Sequence, residues 1–344
     1  GIGLQALEEN TTASNNTAIG YIALSENTTG SQNTAVGSRV LDANTTGGNN
    51  VAIGHDSLTS NSTGANNIAV GVNCMLSNTT ASNNTAVGYK SLEANTTGTG
   101  NTATGSLALK LNTTGNNNTA YGFEALLSNT TDDNNTAVGY QGMYNNTTGS
   151  NNVAFGHKAL YANTTGSVNT ALGQEALQNN TTAGNNVAVG YQSSYDTTTG
   201  GNNTATGYQA LYANTTGSDC VANGLYSLLS NTTGLENVAV GRSSLQNNTT
   251  ASQNTAVGHT AMLNTTTGNE NVAVGAQAIR TNTTGSKNTA VGWAALYNNT
   301  TASDNTAVGR AALFTNTTGG ANTALGKEAL NKCTTGANNT AIGL

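Results

Sequence analysis

The sequence predicts an all-β chain: a parallel β-solenoid, or β-roll, of about 20 coils with 17 residues per coil. Three observations predict it. The first is a glycine that closes a recurring phrase, as in Asn135-Thr136-Ala137-Val138-Gly139. It falls at Gly3, Gly20, Gly37 and then every 17 residues to Gly343, with no insertion or deletion. The second is the phrase itself. Thr or Val, then Ala, then Val or Ile alternates side chains across a pleat, and β-branched residues suit that surface. The third is composition: 42 glycines, no proline and only 8% charged residues. Thr, Asn and Gly are weak helix formers. A disordered low-complexity chain has a similar composition but no physical reason to keep a register. The unbroken period makes residues 1–344 one repeat domain, despite a length that ordinarily means several.

Each coil is numbered here from its marker glycine as position 0. Position 15 is Ala and position 9 is Thr in all 20 coils. Position 13 is Asn everywhere except Cys220. Position 4 is Leu, replaced by Met75, Met143, Met262, Ile279 and Ser194. Position 7 is Asn, replaced by Thr197, Thr265 and Cys333. Positions 14 to 16 read as one short strand. A second, weaker strand is expected around Ala159-Leu160 to Asn163-Thr164-Thr165. Glycine at positions 0 and 10 marks two bends, where left-handed backbone angles are cheap.

Coils stacked at roughly 4.8 Å give a rod on the order of 95 Å long. Identical residues then lie above one another. Asn16, Asn33, Asn135 and Asn305, with Thr131 and Thr148, are expected to form ladders that resist slippage of register. Leu at position 4 and the β-branched residues at 14 and 16 are expected to fill the coil. Ala at 15 alternates with them and so points outward. A methyl held constant at an outward position implies a second backbone nearby, which makes Ala35, Ala137, Ala154 and Ala307 candidate inter-chain contacts. The opposite orientation places Ala, Asn and Gly inside and turns the Val/Thr row toward a partner.

Little chemistry can be read along this chain. Net charge is −6 with no basic stripe, which excludes nucleic acid as a partner. No apolar run approaches the roughly 20 residues that span a bilayer, so no membrane insertion is expected in this segment. His55, His157 and His259 share position 1 but lie six coils apart, too far for a metal site or a triad within one chain. Cys74, Cys220 and Cys333 fall at three different positions and form no disulfide framework. Asp132-Asp133 and Glu8-Glu9 are the adjacent acid pairs, and no calcium-binding nonapeptide is present. No nucleophile has a base beside it. The chain is expected to be no enzyme and to hold no cofactor or metal. Asn-Thr-Thr is also an N-glycosylation acceptor pattern, which makes Asn95, Asn163 and Asn231 candidate glycosylation sites. The threonines at positions 8 and 9 are adjacent and face opposite ways, which weighs against an ice-binding surface.

The phrase Asn50-Val51-Ala52-Ile53-Gly54 resembles the head repeats of trimeric autotransporter adhesins, whose signature is close to Ser-Val-Ala-Ile-Gly. The run from Asn203-Thr204-Ala205-Thr206-Gly207 to Asn214-Thr215-Thr216-Gly217 is similar to repeats of bacterial and phage tail-fibre proteins. The resemblance implies a left-handed parallel roll, three chains about a common axis, and attachment to surfaces. The adhesin repeat is shorter than the 17 residues found here. These features give an expectation: a segment of an extracellular, cell-surface or virion fibre, homotrimeric, structural or adhesive. Its partners would be copies of itself and a cell-surface or glycan receptor. The alternatives are a glycosylated matrix filament whose coils stack end to end and, behind it, an ice-binding solenoid.

Overall fold

The computed structural model describes residues 1–343, in two compact units, residues 1–169 and residues 170–343. Each unit is a parallel β-solenoid. The first carries strands β1 (Thr17–Ile19) to β9 (Val153–Phe155), the second β10 (Thr170–Leu172) to β20 (Thr340–Ile342). Within each unit every strand is three residues long and pairs in parallel with its successor. The register is that of the repeat: Ala18 faces Ala35 in the first unit and Ala171 faces Ala188 in the second. Among the described residues there is no helix.

Inter-coil hydrogen bonds do not stop at the strand. They run around the coil of residues 20–36: Leu24 N–H donates to Val40 O (2.9 Å), Glu26 N–H to Asp42 O (3.0 Å) and Thr28 N–H to Thr45 O (3.0 Å). Gln32 N–H turns back to Ser14 O at 3.0 Å, and Thr34 N–H reaches forward to Asn50 O at 2.8 Å. The backbone polar groups of a thin coil are thus paired without a second strand.

The second strand expected around Ala159 to Thr165 does not form. Positions 2 and 4 are both left-handed, as at Lys158 (φ 53°) and Leu160 (φ 51°), and this breaks the pleat. Positions 3 and 4 then point to the same side, so Ala159 and Leu160 are both buried. A non-glycine residue in this region costs roughly 1–2 kcal/mol. Full burial of the leucine contributes about 2 kcal/mol in return. The second bend also departs from expectation. Its left-handed residue is position 12, as at Asn49 (φ 60°), not the glycine at position 10. Position 0 does require glycine. Gly20 has φ 138°, and a Cβ there would lie 1.9 Å from Gly37 O in the coil above.

The interior is made of positions 3, 4, 7, 10, 13 and 15. In the first unit Leu24, Leu41, Leu58, Met75 and Leu92 form a column of large buried side chains beside the alanines. This reverses the preferred orientation from the sequence. Ala35, Ala137, Ala154 and Ala307 are fully buried within their own chain and cannot be inter-chain contacts. Their constancy has another cause: the coil is too narrow for more than a methyl opposite the leucine column. The β-branched residues at 14 and 16 lie outside, and Ile53 remains 40% exposed.

Candidate functional site

Two features repeat with the coil and are therefore extended along each unit: amide columns inside, and an uncharged strand face outside.

The inner amides converge on one carbonyl. Gly47 O accepts from Asn44 Nδ2 of its own coil (2.9 Å) and from Asn33 Nδ2 of the coil before (2.9 Å). Asn44 Nδ2 also donates to Asn27 Oδ1 at 2.8 Å, which makes position 7 a side-chain ladder. Position 13 works through the backbone instead. Asn16 Oδ1 accepts the N–H of Asn33 at 2.8 Å. Asn135 N–H donates to Asn118 Oδ1 (2.9 Å) and its Nδ2 to Gly149 O (2.8 Å). In the second unit Asn305 bonds Asn288 Oδ1 through its N–H at 3.0 Å. Buried amides satisfied on both sides fix the register of each coil.

The threonine ladder is displaced by one residue. Thr131 and Thr148 are exposed, whereas their neighbours make the bonds: Thr130 Oγ1 donates to Thr147 O (3.2 Å) and Thr147 Oγ1 to Thr164 O (3.0 Å). The glycosylation candidates are corrected too. Asn95, Asn163 and Asn231 are fully buried. Asn95 Nδ2 is held by Asn78 Oδ1 at 2.9 Å and Gly98 O at 3.0 Å, so no transferase can reach it in the folded chain.

The two fully buried thiols are weakly acidic. Burial pushes Cys74 up to about 12 and Cys220 up to about 11. Cys220 stands in for asparagine and aims its Sγ at Gly234 O, the carbonyl that the amide would have met. Cys74, Cys220 and Cys333 are all unpaired thiols. The histidines stay dispersed: His55 lies 3.1 Å from Asp56 Oδ2, and His157 stacks on Tyr140 with centroids 5.4 Å apart. Among the described residues no three His, Cys, Asp or Glu side chains come together.

Outside, the strand face presents positions 14 and 16 in two parallel rows. Neither row contains a Lys, Arg, Asp or Glu in any of the 20 coils. Position 16 tolerates Val, Ile, Leu, Thr, Asn223, Tyr121 and Phe155, the last two about 60% exposed (60% and 59%). Position 1 adds aromatic side chains next to it, and Phe123 stacks on Tyr140 at 5.7 Å. Their β-branched character alone points these rows toward the core. The signal that identifies them as outer is size: no close-packed interior accepts Thr, Tyr, Phe and Asn in one column.

The chain matches no model of a known protein family and no characterised protein.

Proposed function

We propose that the chain is a shaft segment of an extracellular structural fibre, in which three copies associate along their strand faces and no reaction is catalysed. One observation carries this reading. Two uncharged rows of half-exposed residues run the length of each unit, position 16 mostly apolar and position 14 threonine, valine or isoleucine. A surface meant for water would be interspersed with charges, as positions 2, 5, 6, 11 and 12 are. A second copy is the partner whose side chains recur at the same axial interval, so its ridges stay in step along the whole face. An adhesive role for the fibre rests on the resemblance of its repeats to adhesin heads and tail fibres.

Light scattering and native mass spectrometry test the association. The unaltered chain is expected as a trimer. Val70→Glu with Val87→Glu, on successive coils of the strand face, is expected to release monomers with unchanged circular dichroism. A monomeric unaltered chain would falsify the reading. The glycosylated-matrix alternative loses its sequon support, because those asparagines are interior.

A further inference from the structure

We propose that the threonine at position 9 of each coil is a site of O-linked glycosylation. Position 9 is threonine in all 20 coils and exposed in every one, from Thr12 and Thr29 onward. Exposure alone does not restrict a residue here. Position 12 lies on the same bend, is equally exposed, and holds Asn, Gln, Val, Glu, Asp, Lys and Ala in different coils. Backbone preference does not explain it either. Position 14 needs a β-branched residue and exchanges Thr, Val and Ile freely, whereas position 9 never gives up its hydroxyl. Yet the hydroxyl has no task inside the chain. Among the described residues, the inter-coil bond is made by position 8, as from Thr113 Oγ1 to Thr130 O at 3.0 Å, and none is made by the hydroxyl of position 9. A group that is invariant, exposed and idle within its own fold is retained for an external partner.

Solvation points to what that partner is. Only 8% of residues are charged, far below the charge density that keeps an elongated surface soluble. Neutral sugars supply that hydration. Phosphate on the same row would place dianions one coil apart, and they would repel. A pyranose is about as wide as the ~4.8 Å coil spacing, so sugars on successive coils can lie side by side. In the reaction, Thr Oγ attacks the anomeric carbon of a sugar activated as a nucleoside or lipid diphosphate. The C1–Oγ bond forms, the C1–O bond to phosphate breaks, the diphosphate leaves, and the hydroxyl proton passes to a base of the transferase.

The inference does not depend on how many chains associate. Intact mass and electron-transfer fragmentation of the chain taken from its native source test it. The expected result is whole sugar increments above the mass calculated for the bare polypeptide, mapped to position 9. Thr114→Val, Thr131→Val and Thr148→Val together, made in the native source, are expected to remove the increments at those three residues. The three corresponding serine variants are expected to retain them. A bare mass, or sugars confined to other positions, overturns the proposal. If the valine variant does not fold, site mapping on the unaltered chain still decides.

Discussion

The position-7 amide column differs between the two units. In the first unit every coil supplies asparagine, from Asn10 through Asn163. Each interior amide has a neighbour to bond: Asn78 Nδ2 reaches Asn61 Oδ1 at 2.9 Å, and Asn95 reaches Asn78 at 2.9 Å. In the second unit Thr197, Thr265 and Cys333 interrupt the column. The interruption leaves traces on both sides. Asn248 Oδ1 and Thr265 Oγ1 are buried without partners. Asn282 Nδ2 keeps only Gly285 O, at 2.8 Å. The coil of residues 190–206 is altered twice, because Ser194 also takes the place of leucine, and its hydroxyl is buried and unpartnered. The difference teaches that the fold tolerates local loss of the ladder as long as the coil on either side retains it. That is how a nearest-neighbour stack behaves.

The comparison can be broken by copying one unit's defects into the other. The largest effect is expected for Leu92→Ser, which gives the first unit the equivalent of Ser194. It leaves a cavity and an unpaired hydroxyl and is expected to cost about 4 kcal/mol, read from denaturant unfolding. Ser194→Leu is the converse and is expected to gain about 2 kcal/mol. Asn95→Thr copies Thr265. It orphans Asn78 Oδ1 and strips one bond from Asn112, which bonds Asn95 at 3.0 Å, so a loss of about 2 kcal/mol is expected. Thr265→Asn repairs the second unit, with an expected gain of about 1 kcal/mol and slower amide exchange in coils 241–291. If repair and damage have equal effects in both units, the ladder is not what separates them.

The smallest effect concerns the thiols. Burial raises Cys74 from 9.0 to about 12 and Cys220 from 9.0 to about 11, so the folded state holds the proton more tightly than the unfolded state. By linkage this stability is complete below pH 9 and is lost as the pH rises from 9 through those values. Unfolding midpoints are therefore expected to fall above pH 9 and to stay flat from 7 to 9 as far as the thiols contribute. Below pH 9 a thiol reagent is expected to label half-buried Cys333 first, and Cys74 and Cys220 only on unfolding.

The coil length and the asparagine columns were legible because both are properties of spacing, and spacing survives any choice of orientation. Orientation was not legible. A three-residue strand such as Thr136-Ala137-Val138 has too few alternations to tell inside from outside. Constant alanine fits a neighbouring chain and a narrow interior equally well, because both impose the same constancy. The left-handed positions were hidden as well. Position 2 holds Gln, Lys, Glu, Arg and even Ile22, and position 4 holds Leu, none of which announces positive φ. Stacking imposes those angles, since such residues donate their N–H to an adjacent coil, as Ile22 does to Leu4 O at 2.9 Å. The shift of the threonine ladder from Thr131 to Thr130 has the same origin. Two adjacent threonines are equivalent in sequence until the bend decides which hydroxyl faces the next coil.

The asparagine columns also have a direction. At position 7 the later coil donates Nδ2 to the earlier one, as Asn44 does to Asn27. At position 13 the later backbone N–H donates to the earlier Oδ1, as Asn33 does to Asn16. The last coil of a stack therefore leaves two side-chain acceptors, the Oδ1 atoms of positions 7 and 13, and one donor, the Nδ2 of position 13, facing the place of the next coil.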